Sequence, residues 1–532
     1  MAAVNAATQQ TRRAYVASSA DVWALGIATV ICGQYFAWNA GLVAGPVRFG
    51  YGVLLTALAF LFLVMSLAEI ASALPFAGGV FGMARCTLGF YVAFVVGCCE
   101  MVQYVIYSGM TLVLTTQLVS LRWPCVVGYE PVPWVALQAI VLLGVRLGGR
   151  PFWRTLFGLS TLSLVVVFFY ALCAMSNADM ATYGGGGEVP SQEGLAAFFQ
   201  ALPHAVWLFS GIESLATLPA YVEDPCKAIP KGQLASMATL LLSSCCIYLA
   251  AISFPPGAAA LPGAFAVLSG GFSVSFNVTE VNSNLLSIPA IVAGLPGFSL
   301  ATSNILAALA RSNLVSTIVI HRSAPNKTPM RAIVLVSGLN IATSWALQSG
   351  HCTVLYNLAR ALGFVAYIAQ GLGFIAWRRR HNRVPRGYIS PVGMAGATYS
   401  VVVFSLGCIS TLCCQEDSFD ALIATTGLVA VLTAYYHGYA KHHQTFSTDE
   451  HMLLFFGRIE SATSVHAEAK NKASPRSRWS RVRSQLRLFL QRQAVVNRRP
   501  TVPTRFPAIA PSLLTQRSES RCATVRVGGL LS

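Results

Sequence analysis

Long apolar runs separated by short polar loops set the pattern of this chain. Stretches of mainly apolar residues, each about the 20 needed to cross roughly 30 Å of hydrocarbon, recur near 22–45, 52–74, 90–121, 132–147, 154–175, 196–222, 233–254, 284–309, 331–348, 353–377, 392–414 and 420–440. The pattern predicts an all-α, multi-pass integral membrane protein of about twelve spans, the fourth short. Two spans are interrupted in the middle, by Cys32-Gly33-Gln34-Tyr35-Phe36-Ala37-Trp38-Asn39 in the first and Phe209-Ser210-Gly211-Ile212-Glu213 in the sixth. A glycine beside polar side chains at bilayer depth frees backbone N–H and C=O groups that lipid cannot satisfy. Such a break persists where it lines a cavity or meets a ligand.

The spans divide into five, five and a final pair, and each five opens with an interrupted helix. An odd number of spans reverses the second copy, so the expectation is a five-plus-five inverted repeat with two further C-terminal helices. Residues 1–20 read as an N-terminal segment, 21–442 as the membrane domain and 443–532 as a basic, partly disordered tail. The first twenty residues are polar and the first apolar run is too long for the core of a cleavable leader, so none is expected.

Composition agrees with the pattern, since 55% of the 532 residues are apolar and 10% charged. The net charge of +17 changes meaning once it is located. Residues 465–532 hold 14 Lys and Arg against 2 acids, which is +12 of that total, so the membrane domain is nearly balanced and no nucleic-acid partner is implied. Loop charge also sets orientation, because Lys and Arg concentrate on the cytoplasmic side. Arg85, Arg146, Lys227, Arg311, Lys327 and Arg378 to Arg380 fall in alternate loops, whereas Asp179, Glu188, Glu193, Glu416, Asp417 and Asp420 occupy the opposite ones. Both termini are therefore expected in the cytoplasm, with the sequon Asn277-Val278-Thr279 outside and the plasma membrane as the host. The cysteines show no metal or disulfide spacing, although Cys125 and Cys352, both in outward loops, are free to pair.

The breaks carry the candidate chemistry. Exposed amides of Gly33 to Phe36, with Gln34 and Tyr35 beside them, favour an anionic or accepting group. The carbonyls of Leu208, Phe209 and Ser210, next to Gly211, favour an ammonium, so together the breaks suit a small zwitterion. The aromatics Tyr35, Phe36, Trp38, Trp207 and Phe209 suit either apolar packing or a cage for a cation. Charges inside spans need a partner or a task. Glu100 lies about ten residues into the third span, Glu213 beside the second break and Arg360 inside the tenth. A pair of Arg360 with Glu100 or Glu213 would serve as a gate, and either Glu would serve equally as an ammonium ligand or proton carrier, Glu213 foremost. Glu69 and Glu223 sit at helix ends, where pairing with Arg85 or Lys227 is expected. Pro225 and Pro230 are read as ending a helix and stiffening the loop, and Pro75 to Arg85 as a turn and short amphipathic piece with Arg85 toward headgroups or a carboxylate. No nucleophile, base and orienting residue cluster together, so an enzyme is not expected.

Taken together, Val22-Trp23-Ala24-Leu25-Gly26, Gly33 to Asn39, Ala68-Glu69, Pro75 to Arg85, Trp207, Gly211-Ile212-Glu213, Glu223-Asp224-Pro225 and Ile229-Pro230 resemble the amino acid, polyamine and organocation transporter superfamily. Within it the sequence is most similar to amino acid permeases of the ethanolamine permease type, from about residue 20 to 450. The chain departs from that pattern at Ser214, Leu215, Arg360 and the tail. The resemblance implies a secondary transporter of an amino acid or ethanolamine-like solute, working by alternating access. It implies the solute carboxylate at the first break, its amino group at both, and Trp207 or Phe209 as a lid. No cofactor is expected; a sodium site shared with the wider fold would use carbonyls of span one and the hydroxyls of Ser299, Thr302 and Ser303, and coupling to H+, coupling to Na+, exchange and facilitated diffusion are all open readings. The alternative is a transporter-like receptor that binds the solute and signals through the tail. That tail begins with a capping box at Ser447 to Glu450. From Arg478 to Arg492 it interleaves Trp479, Val482, Leu486, Phe489 and Leu490 with arginines, as for a helix on anionic lipid.

Overall fold

The structure is a computed structural model, described over residues 15–76, 78–185, 191–320, 329–350, 352–381 and 384–446 together with His451. The tail features from Ser447 to Glu450 and from Arg478 to Arg492, with Lys327, Glu188 and the side chain of Glu193, lie outside the described residues.

The described residues are helical, as the apolar runs require. The principal helices are α1 (Ser19–Tyr35), α2 (Pro46–Ala73), α3 (Val80–Thr87), α4 (Phe90–Arg122), α5 (Pro131–Leu147), α6 (Gly149–Asn177), α7 (Ser191–Ala201), α8 (Pro225–Ser253), α9 (Ile288–Arg311), α10 (Met330–Gln348), α11 (Cys352–Arg380), α12 (Gly393–Cys413) and α13 (Ser418–Tyr435). Among the described residues nine helices are long and apolar enough to span a membrane. There are ten if α1 and the tight helix Trp38–Ala44, bent by 43°, form one span. The other two segments of the expected twelve are shorter apolar helices, Pro131–Leu147 and Gly194–Leu208.

Packing follows the division into two fives. The second, third and fourth spans (α2, α4, α5) pack on the seventh, eighth and ninth (α8, α9, α10), each on its own counterpart in the other five. Likewise α4 packs on α11 as α9 packs on α6. The interior is polar as well as apolar, with Glu69, Glu100, Gln103, Gln34 and Glu213 all buried. Each must find hydrogen-bond partners inside the protein, since none is available in hydrocarbon.

Several loop readings change. Glu69 pairs with Arg378 and Arg386 rather than Arg85, and its Oε2 also accepts from the Ser390 backbone N–H at 2.8 Å. This joins the end of α2 to the α11–α12 connection, so the partners come from 309 and 317 residues away. Arg85 is buried, donates to the Thr445 carbonyl at 2.9 Å and lies 4.8 Å over the Phe90 ring, which turns it inward instead of toward headgroups. Lys227 is taken by Asp224 at 3.0 Å, not by Glu223. Pro225 starts α8 at its first position, where no N–H is needed, and Pro230 lies inside that helix instead of ending one. Cys125 and Cys352 are both free thiols.

Candidate functional site

The first break falls later than glycine alone suggests. Gly33 to Tyr35 remain helical, and the chain turns at Phe36, which is extended, and Ala37, whose φ is 72°. A non-glycine residue in the left-handed region is strained by about 1–2 kcal/mol. Here the strained residue sits at the edge of a cavity. The carbonyls released by the turn are satisfied within the protein. Trp38 Nε1 donates to the Gln34 carbonyl at 2.8 Å and the Val267 N–H to that of Tyr35 at 3.1 Å. The Asn39 side chain fixes the following turn by donating to the Leu261 and Ala264 carbonyls at 2.6 and 2.9 Å.

Gly33 has a different task, close approach. A Cβ built there would lie 1.9 Å from the Trp207 carbonyl oxygen, so the two broken spans cross in direct backbone contact. The second break falls where the sequence places it. Tight helical segments Leu202–Leu208 and Ile212–Thr217 flank Gly211, whose φ of 110° excludes a side chain without strain.

A cavity of about 460 Å³ opens between the breaks, within the size range of small-molecule sites. Of the expected site residues, Gly33, Phe36, Trp207, Ser210 and Arg360 line it; Gln34, Tyr35, Phe209, Gly211, Glu213, Glu100, Ser299, Thr302 and Ser303 do not. Phe209 turns away onto Phe60, ring centroids 5.8 Å apart. Tyr35 donates to the Ser163 carbonyl at 2.7 Å. Gln34 uses both ends of its amide: Nε2 reaches Ser244 Oγ at 2.8 Å, the Leu240 carbonyl at 3.2 Å and the Leu208 carbonyl at 3.4 Å. Its Oε1 accepts from Ser243 at 2.8 Å. The hydroxyls of Thr302 and Ser303 donate to carbonyls one turn back on α9, and Ser299 Oγ meets Asn340 Nδ2 at 3.5 Å.

The cavity also gathers residues that the apolar pattern hid, including Tyr107, Phe298, Tyr356 and His204. Tyr107 stands 5.2 Å from Trp207 and 5.5 Å from Phe298, centroid to centroid, so an aromatic wall forms from three different spans. The polar run Glu100, Gln103, Tyr104, Tyr107 and Thr111 does carry a signal in sequence, since its spacing puts it on one face of α4.

Behind the wall is a buried hydrogen-bond chain. Ser210 Oγ, at the cavity, lies 3.1 Å from the Tyr107 hydroxyl and 2.7 Å from that of Tyr367. Tyr367 donates to Glu213 Oε1 at 3.2 Å, and the Gly211 N–H donates to Oε2 at 3.0 Å. Tyr104 lies 3.1 Å from Glu213 Oε1 and 3.2 Å from Glu100 Oε1, which also accepts from Gln370 at 3.2 Å.

Arg360 pairs with neither acid. Two turns nearer the start of α11 than Tyr367, it donates to Asn357 Oδ1 and, at 3.4 Å, to Gln415 Oε1. The expected Glu–Arg gate is absent from this arrangement: Glu213 is held by two hydroxyls and a backbone N–H, and Glu100 is held through Oε1 alone, by Tyr104 and Gln370.

Comparison with known proteins agrees with this architecture. The family model described as Amino acid permease matches residues 18–429. An uncharacterized transporter of Rhizobium meliloti (strain 1021) is 25% identical over 244 residues, 43% of this chain and 50% of the relative. The Cationic amino acid transporter 1 of Schizosaccharomyces pombe is 27% identical over 197 residues, 35% of this chain and 33% of the relative. These matches therefore span between a third and a half of the relatives' length. With the family model covering both broken spans and every helix that borders the cavity, the chain belongs to the amino acid permease family.

Proposed function

We propose that the protein is a secondary transporter of small amine-containing solutes, amino acids foremost and ethanolamine-like compounds next, working by alternating access around its two broken spans. The observation that carries this reading is the crossing of Gly33 against the Trp207 carbonyl beside a cavity of about 460 Å³. Two breaks in contact beside one cavity support a binding site at the interface between repeats, where rocking of one five against the other would expose it to each side in turn. The family match and the transporter names of the relatives support the same reading.

In this proposal the solute rests against Phe36 and Trp207, with its ammonium toward the carbonyls and hydroxyl of the second break at Ser210. Trp207 is the lid in preference to Phe209, because only Trp207 borders the cavity. Glu213 acts behind Ser210 through the Tyr367 hydroxyl, a path suited to a proton. Proton coupling is therefore the proposed mode, with sodium held by the Ser299, Thr302 and Ser303 region of α9 as its rival. The proposed setting is the plasma membrane, with both termini in the cytoplasm and the exposed Asn277 outside.

Reconstitution into proteoliposomes tests the proposal. Saturable uptake of labelled amino acids, accelerated by an inward proton gradient and indifferent to sodium, is the expected result. Solutes that bind without crossing would overturn it in favour of a receptor.

A further inference from the structure

We infer that the cavity is built for a solute bearing an anionic group in addition to its ammonium and α-carboxylate, an acidic amino acid, and that Arg360 holds this extra group. The inference rests on the transporter reading above and names its substrate class.

Arg360 is 5% exposed and borders the cavity. Its Nη2 is occupied by Asn357 and Gln415, but Nε and Nη1 are buried with no acceptor among the described residues. Among the described residues no Asp or Glu borders the cavity, and the fixed charge that they give it is positive. Neither buried acid behind the wall pairs with Arg360: Glu213 is held by Tyr104, Tyr367 and the Gly211 N–H, and Glu100 meets Tyr104 and Gln370 through Oε1, its Oε2 having no partner among the described residues. A guanidinium removed from water without an anionic partner is strongly unfavourable. Nε and Nη1 lie on different edges of the planar fork, so each offers one charge-assisted N–H bond to an anionic group rather than a shared bidentate edge.

Charge decides the class. A neutral amino acid brings one negative and one positive group and leaves Arg360 uncompensated. Ethanolamine brings no anion at all. A lysine or arginine solute adds a cation to a lining with no carboxylate, so the cationic substrate in the name of the Schizosaccharomyces pombe relative does not suit this chain. Glutamate or aspartate supplies the missing charge, and the cavity is large enough for either.

Uptake of labelled glutamate, alanine and lysine by the full chain in proteoliposomes is the test, with Arg360→Gln beside the unaltered protein. The expected kcat/KM for glutamate exceeds that for lysine at least tenfold, and Arg360→Gln lowers the glutamate-to-alanine ratio of kcat/KM at least tenfold. If the variant fails to fold, the preference of the unaltered protein and its thermal shift with glutamate against lysine decide alone. Equal losses for glutamate and alanine would assign Arg360 to the α-carboxylate and overturn the inference. Uptake of alanine or lysine without glutamate overturns the inference and leaves the transporter reading standing; failure to move all three solutes overturns both.

Discussion

Glu100 and Glu213 meet at one donor, the Tyr104 hydroxyl, 3.2 Å from the first and 3.1 Å from the second. A hydroxyl carries a single proton, so it cannot donate to both acids at once; both bonds form together when one carboxyl is itself a donor. Removing the hydroxyl takes its acceptor from the protonated acid and a donor from the other. Tyr104→Phe should lower stability by about 1–3 kcal/mol, the cost of unsatisfied buried polar groups. Glu100→Gln removes one of the opposed acids, so the double variant should recover about 0.5–3 kcal/mol relative to the sum of the single losses. Thermal melts in detergent measure this cycle, and simple additivity would sink the shared-donor account.

The crossing of the broken spans gives a second prediction. A methyl at position 33 would strike the Trp207 backbone, which cannot rotate away as a side chain does. Gly33→Ala should cost about 1–3 kcal/mol or more through overpacking. Solute flux should fall with it, because the shift displaces the wall of the cavity. Gly338→Ala on α10 is the control, since nothing lies within 4 Å of its added Cβ. Matching losses in the two variants would show that helix glycines in general, not this crossing, set the response.

Glu69 supplies a third. Its carboxylate is fully buried and receives two guanidinium groups and the Ser390 N–H. Glu69→Gln leaves two cations sharing one neutral amide in a site largely shut from water, so a loss of about 3–5 kcal/mol is expected. Arg378→Lys should be milder yet measurable, because a lysine cannot reproduce the bonds made by Nε and Nη2 at 3.0 and 2.6 Å. Melting temperatures of the purified variants decide. An unchanged melt for Glu69→Gln would mean that the cluster adds nothing net to the fold.

Glu69 also shows where the sequence stops being legible. Apolar run length located the helices, since crossing hydrocarbon demands a fixed number of residues whatever their neighbours. The second break was legible for a similar local reason: Gly211 requires a backbone conformation that other residues resist. Partner choice is not local. Arg85 is near Glu69 in sequence, but chain topology delivers Arg378 and Arg386. The first break falls inside the stretch from Cys32 to Asn39 that the sequence marks, but at Phe36 and Ala37 rather than at Gly33, because a glycine signals both flexibility and close packing and only the fold distinguishes them. Cavity membership was hidden for the same reason, and Phe209 and Trp207, two residues apart, face different surroundings.

Gln34 separates the two readings of a polar residue at a break. As a solute ligand it would alter apparent affinity and leave folding untouched. The structure instead places its amide between α1, α8 and the second break, with Oε1 accepting from Ser243 and Nε2 facing Ser244 and the carbonyls of Leu240 and Leu208. Gln34→Met keeps roughly the volume but strands buried carbonyls, for about 1–3 kcal/mol. Gln34→Glu is worse, since a second oxygen would confront those carbonyls and a charged group costs more to leave unmatched. The expected order of melting is therefore unaltered protein, then Gln34→Met, then Gln34→Glu. A rise in KM for Gln34→Met with no change in its melt would return Gln34 to the binding site and remove it from the clamp.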